Sequence, residues 1–363
     1  MKALKFESDL LASTDRYSKD LSLPDYIYGD DGFLDRKKTA ELLLSEEYGY
    51  VNTEGIDIEV TESDEPPSVI ADPADYKKHV KLNFKLTKEG RSASFPVDLF
   101  LPDVNGDIPF VIYLSFTIWV EKNYFPLKLI MDKNVAVARI FYIDVAGDDN
   151  DFEKGIAPLV SDRNAPHSAG KLSIWAYAAS LVGSYLIDKG YAKKEDLYVT
   201  GHSRLGKTAL LAAALYDCFA GVHSNNSGCC GVAISREKHG ETIEDIVNKF
   251  PYWFTPEFAK YANRENEMPF DQHYLMALVA PKKLSVSAAE EDTWADTEAQ
   301  YLSAEAASVI YEKHGLVGLD RSKGLLRIGE NSTGGNIAFR MRHGGHSFFA
   351  DDWEFFLNFI TSD

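Results

Sequence analysis

From Val80 onward, short apolar runs rich in β-branched and aromatic residues alternate with longer segments of helical spacing, and no other feature of the chain narrows its fold as much. Residues 81–90 and 92–102 read as a hairpin, and 108–116 and 134–144 as further strands. The apolar spacing of 171–191 predicts a helix ending near Gly190. The order then repeats. Strands at 196–201, 219–225, 283–289 and 336–342 are separated by helices at 205–217, 271–280 and 298–315, and 351–360 closes the chain as an amphipathic stretch. Crossovers of this length join parallel strands, are right-handed, and lay helices over the sheet. The expected class is α/β, a mostly parallel sheet with helices on both faces.

Residues 1–78 lack this rhythm. A helical pattern at 35–50 precedes an acidic, proline-bearing stretch at 61–75. They are expected to form an N-terminal cap segment packed on a catalytic domain spanning 79–363.

The formal net charge of −18 over 363 residues would repel a phosphate backbone, and no basic stretch offsets it, so nucleic acid is not an expected partner. The first apolar stretch carries charges and has no signal-peptide core, and nothing reads as a membrane span. As it stands the sequence predicts a cytoplasmic protein with no membrane partner, and it leaves the oligomeric state open. The three cysteines, Cys218, Cys229 and Cys230, make an odd count with a vicinal pair and read as buried small hydrophobes rather than a disulfide framework.

The stretch most informative about chemistry is 196–215, which passes from strand to helix through a turn holding Gly201, Ser203 and Gly206. A serine there projects its hydroxyl above the carboxyl end of a strand with helix amides behind it. The second glycine stands one place later than in the common GxSxG turn, because Leu205 occupies the usual position. The same residues complete a rival pattern, since Gly201, Gly206, Lys207 and Thr208 match the GxxxxGK[ST] phosphate-binding loop of nucleotide hydrolases. The bulky His202, Arg204 and Leu205 fit a phosphate wrap poorly. A third reading makes Ser203 a helix cap.

A serine nucleophile needs a base and a carboxylate that orients it, and the turn together with the chain order serine, acid, histidine resembles the α/β-hydrolase fold. After the strand at 283–289 come Glu290, Glu291, Asp292 and Asp296. Asp292, just past the strand, is the preferred orienter; Glu291 and Asp296 stay open, Asp296 also fitting an acidic helix start. After the last strand, the glycines between His343 and His346 let the loop fold back toward Ser203, so His346 is the expected base and His343 a packed or hydrogen-bonded histidine. Two histidines three apart also suggest zinc, but no nearby ligand spacing completes a site, and no metal is expected. The oxyanion donors should be the Arg204 amide and a group near Ser115 and Phe116. The Arg204 guanidinium either stabilises the developing charge or pairs with a carboxylate of the 290s cluster.

Several longer motifs point further: VTGHSRLGKTAL at 199–210, SNNSGCCGVAISR at 224–236, GETI at 240–243, MPFDQHYLMALVAP at 268–281, SAAEEDTWAD at 287–296 and HGGHSFFADDW at 343–353. In this order, from about Leu23 to the C-terminus, the chain resembles the glucuronoyl esterase family of carbohydrate esterases, especially its bacterial branch. The resemblance implies Ser203 as nucleophile, Arg204 as oxyanion-stabilising side chain, His346 as base, and Lys207, Glu241 and Trp294 as contacts to a sugar acid; for Trp294 core packing is the competing reading. It implies no cofactor and a small carbohydrate ester as substrate, a glucuronoyl ester before all. An acetyl-xylan-type deacetylase is the nearest alternative, and a nucleotide hydrolase using Gly201 to Thr208 the alternative from another class. Many family members carry a glutamate where this chain has Asn226, which leaves the orienting role wholly to Asp292.

Overall fold

The computed structural model describes the whole chain except Met1, Lys5, Asn105, Ile118, Glu121, Lys122, Lys323 and Asp363. Among the described residues the main sheet has ten strands: β1 (Asp57–Ser63), β2 (Lys78–Lys88), β3 (Arg91–Leu101), β4 (Phe110–Ser115), β5 (Ala136–Phe141), β6 (Leu197–His202), β7 (Gly221–Asn225), β8 (Lys283–Ala289), β9 (Asn331–Ser332) and β10 (Ile337–Arg342). Their order across the sheet is β9-β10-β8-β7-β6-β4-β5-β3-β2-β1. Strands β4 to β8 and β10 run parallel, and antiparallel strands flank them at both ends. Every residue of β4 and β6 is buried, as continuous apolar runs must be when both faces of a parallel sheet are covered. The β2–β3 hairpin turns at Glu89 and Gly90, whose φ values of 50° and 79° match the twist of the flanking strands.

Helices α1 (Arg36–Leu43), α2 (Lys171–Asp188), α3 (Arg204–Leu215), α4 (Thr297–Lys313) and α5 (Ala350–Thr361) are the longest among the described residues. One core cluster joins Trp175 of α2, Leu210 of α3 and Leu302 of α4, and a second joins Trp353 and Phe356 of α5 to Tyr113 of β4. These are the two faces of an α/β sheet. Leu23, Tyr26, Leu43 and Tyr48 bury their side chains in the first cluster. Residues 57–63, grouped with the N-terminal segment in the sequence reading, form edge strand β1, whose residues are nearly all exposed. The alternation of Ile56, Ile58 and Val60 with Asp57, Glu59 and Thr61 marks it as a strand, and its acidic side chains leave this sheet edge open to water. The helix expected over 271–280 contracts to His273–Ala277. No described helix is long and apolar enough to cross a membrane.

Across the β3–β5 junction, Asp98 and Arg139 face each other in register, each about 1% exposed, with Nη1 3.3 Å from Oδ2. The carboxylate also receives the Ser68 amide at 3.0 Å and lies 3.0 Å from His79 Nε2. Arg139 Nη2 donates to the Thr117 carbonyl at 2.5 Å, so the pair ties the loop after β4 to the sheet. Removing one partner strands a buried charge, which costs about 3–5 kcal/mol, whereas an exposed pair is worth under about 1 kcal/mol. Asp98→Ala should therefore lose several kcal/mol in urea unfolding, while Lys77→Ala, which removes an exposed partner of Asp103, should lose little; matching midpoints would refute the assignment.

Candidate active site

Strand β6 ends at His202 and α3 starts at Arg204, leaving Ser203 alone to turn the chain. Its φ of 56° and ψ of −125° lie where only glycine rests without strain, at a cost of about 1–3 kcal/mol. Close packing of the flanking elements imposes this turn. A Cβ on Gly201 would sit 2.3 Å from the Leu205 carbonyl oxygen, and one on Gly206 would sit 3.0 Å from that of Asn225 in β7. Ser203 N donates to the same Asn225 oxygen at 2.9 Å. Thus Gly206, one place late by sequence, serves the approach to β7, while Leu205 is buried beneath the turn. The phosphate-loop reading fails on this geometry. Residues 204–208 are already helix, and the Thr208 hydroxyl donates back to the Arg204 carbonyl at 2.9 Å, so no wrap of amides is available to a phosphate.

The expected base is placed by an arginine that sequence reasoning passed over. Arg342, last residue of β10 and buried, donates to the carbonyls of His343, Gly345 and Ser347 at 3.0, 3.1 and 2.6 Å. Its Nε also meets both carboxylate oxygens of Asp352 in the first turn of α5, at 3.1 and 3.0 Å. This knot folds the loop back over the sheet. His346 Nδ1 then stands 2.6 Å from Asp292 Oδ2. A carboxylate only accepts, so Nδ1 carries the proton and Nε2 is left to accept one. Beside it, ring centroids 4.4 Å apart, lies His202, which burial holds neutral far below the usual histidine range and whose Nδ1 meets Asn225 Oδ1 at 2.5 Å.

Ser203, Arg204, Lys207, Glu241, Asp292, Trp294 and His346 all line one cavity of about 290 Å³. Buried Lys207 donates to the carbonyls of Ser227 and Cys229, both at 2.5 Å, which leaves its third proton toward Glu241, 3.9 Å away. Glu241 is hung on the Trp294 backbone, its amide donating to that carbonyl at 2.8 Å, and Gly240 passes too close to the same oxygen to carry a side chain. Trp294 itself is 54% exposed, so it does not pack in the core. Asn226 is buried at the cavity, with Nδ2 3.5 Å from the Ser347 carbonyl rather than on His346.

Of the two readings of the Arg204 guanidinium, the pairing with an acid of the 290s cluster is not the one seen. The guanidinium pairs instead with Asp148, from the loop after β5. It lies over the rings of Trp253 at 4.8 Å and Phe250 at 5.1 Å, with Phe116, from the loop after β4, at 5.7 Å. Ser115 spends its hydroxyl on the backbone of Thr117. The other acids of this stretch are placed differently. Asp296 caps α4 and receives the Tyr17 hydroxyl at 2.7 Å and the His239 amide at 2.9 Å. Glu291 is exposed, with only its backbone amide donating to Gly344 O at 3.0 Å, and His343 pairs with Glu290 at 2.8 Å on the surface. Among the described residues no group of three or more metal-ligating side chains assembles. Cys229 and Cys230 are buried free thiols. Asp148, Phe250, Trp253 and Arg342 shape the site without a motif that marks them; Asp148 stands only in a short polar run, Asp148 to Asn150.

A family model described as "Glucuronyl esterase, fungi" matches residues 84–315. A carbohydrate esterase, MZ0003, from an unknown prokaryotic organism is 36% identical over 231 residues, covering 62% of this chain and 53% of that protein. A 4-O-methyl-glucuronoyl methylesterase of Podospora anserina is 29% identical over 225 residues, covering 59% and 45%. This chain thus spans about half the length of the curated relatives it matches. Among solved structures, the glucuronoyl esterase from Solibacter usitatus superposes with a TM-score of 0.79 at 26% identity over 94% of this chain and 97% of that one. A promiscuous CE15 esterase from a marine bacterial metagenome gives 0.78 at 26% identity, over 93% and 97%. By its family match and its architecture, the chain has the α/β-hydrolase fold and belongs to the glucuronoyl esterase family.

Proposed function

We propose that the chain is a serine esterase that hydrolyses carboxylic esters of small carbohydrates, with glucuronoyl (4-O-methyl-glucuronate) esters as its substrates and no cofactor. The observation that carries this reading is the 2.6 Å contact between His346 and Asp292 at the rim of the cavity into which the strained Ser203 turn opens. The relatives named as 4-O-methyl-glucuronoyl methylesterases support the choice of acyl group.

Ser203 Oγ attacks the ester carbon and passes its proton to His346 Nε2. The imidazolium that forms is stabilised through Nδ1 by Asp292. Charge on the former carbonyl oxygen is met by the Arg204 amide at the start of α3 and by the Arg204 guanidinium. His346 then protonates the departing alcohol, leaving the sugar acid as an acyl-enzyme. A water, deprotonated by the same imidazole, breaks that ester and frees Ser203. Lys207 and Glu241 hold hydroxyls of the uronate, and the exposed face of Trp294 receives its ring. With sugar on the acyl side, these contacts stay on the enzyme through both halves of the reaction.

A panel of methyl glucuronate, acetylated xylo-oligosaccharide and nitrophenyl acetate tests the assignment. The highest kcat/KM is expected for methyl glucuronate; preference for the acetylated sugar would place the carbohydrate on the alcohol side and overturn the glucuronoyl reading. Ser203→Ala should lower kcat by at least about 10⁴-fold. Asp292→Asn should lower it by roughly 10³- to 10⁴-fold through the wrong imidazole tautomer, while Glu291→Gln leaves it unchanged. Trp294→Ala should raise KM for methyl glucuronate by roughly three- to tenfold, the value of a stacked ring, and leave nitrophenyl acetate hydrolysis as it was. Equal losses on both substrates would assign Trp294 to structure instead.

A further inference from the structure

We infer that Asp148 is the positioning residue for Arg204, and that it locks the oxyanion side chain and the aromatic wall of the cavity into one unit. This rests on the esterase reading above. Asp148 is itself largely buried, with 10% of its side chain exposed. Its Oδ2 accepts from Arg204 Nη1 and from the Tyr142 hydroxyl at 3.1 Å. Its Oδ1 accepts from the Trp253 indole at 2.7 Å, and its carbonyl from the Tyr252 hydroxyl at 2.9 Å. One acidic residue thus collects four donors, three of them from aromatic side chains, of which Trp253 lines the cavity.

The consequence for Arg204 is steric as well as electrostatic. Trp253 and Phe250 stack with centroids 3.9 Å apart and planes within 3° of parallel, and the guanidinium lies over both rings. A free arginine loses about 2 kcal/mol of side-chain entropy when it is fixed. Held by Asp148 on one side and the rings on another, Arg204 has met that cost before substrate arrives. The grip of Asp148 uses Nη1, while Nε is buried without a hydrogen-bond partner. A carboxylate beside the guanidinium also offsets part of its charge. The arrangement therefore favours placement of a donor over raw attraction, and its removal should fall on kcat.

Asp148→Asn keeps size and polarity but presents an NH₂ to a cage of donors, so it cannot satisfy Arg204 and Trp253 together. For methyl glucuronate it should lower kcat roughly 10- to 100-fold, short of the loss from deleting an oxyanion donor outright, with KM within about twofold. Arg204→Lys should be impaired too, and the double variant should be no slower than Arg204→Lys alone, because the two act through one group. Wild-type kcat in Asp148→Asn beside an impaired Arg204→Lys, or losses that multiply in the double variant, would overturn the positioning role. Wild-type kcat in Arg204→Lys would instead overturn the oxyanion role of Arg204. If Asp148→Asn lowers the melting temperature sharply, Tyr142→Phe and Trp253→Phe each remove one donor without a charge change; both should lower kcat at unchanged KM, and neutrality of both counts against the proposal. Should the wild type cleave none of the esters, the esterase reading fails separately. A crystal structure of Asp148→Asn then decides: the guanidinium should leave its place over Trp253, and an unmoved Arg204 would end the inference.

Discussion

The crossing of α3 over β6 is the contact on which the rest of the site depends. At Gly201 the helix backbone comes so near the strand that a single carbon would collide with the Leu205 carbonyl, and Ser203 is left to reverse the chain within one residue. Strain at Ser203 is sustained because buried packing on both sides, from Leu205 beneath and β7 alongside, leaves no relaxed alternative. The hydroxyl and the first amides of α3 consequently face the same space. Everything else in the site is brought to that point from loops at the carboxyl ends of the parallel strands, the place where such sheets leave room for a ligand.

Those loops are held by carboxylates. Asp292 orients His346, Asp296 joins Tyr17 and the His239 amide to the cap of α4, Asp148 gathers Arg204 with Trp253, and Asp352 receives the Arg342 that shapes the histidine loop. Each is buried or nearly so and each satisfies several donors, which is the condition under which a buried charge is tolerated. Part of the acidic content of the chain is therefore internal wiring. The cavity itself is lined by both signs, with Arg204, Lys207 and Lys249 facing Glu241 and Asp292, as suits a ligand that is polar around its whole rim.

The α/β class, the parallel centre, the Ser203 turn and the serine, acid, histidine order were legible because each is written in neighbours along the chain: periodicity for strands and helices, small residues where backbones must touch, glycines where a loop must fold back. Asp292, His346, Lys207, Glu241 and Trp294, named from motifs, line one cavity in the folded chain. Three readings went differently. Strand β1, signalled by the alternation of Ile56, Ile58 and Val60 with polar residues, belongs to the main sheet rather than to the N-terminal segment. The phosphate loop dissolved because helix begins immediately after Ser203. Arg204 found its partner in Asp148 and not among the acids past β8.

By itself the sequence determined the order of elements, the position of the turn, and the identity of the groups that meet there, since local backbone preference and hydrophobic period act over a few residues. Tertiary structure alone decided that Arg204 pairs with Asp148, that Arg342 folds the histidine loop back, and which aromatic rings wall the cavity. Such pairings join residues far apart in the chain. They follow from how the sheet stacks its loops, a property of the packed whole that no stretch of neighbours encodes.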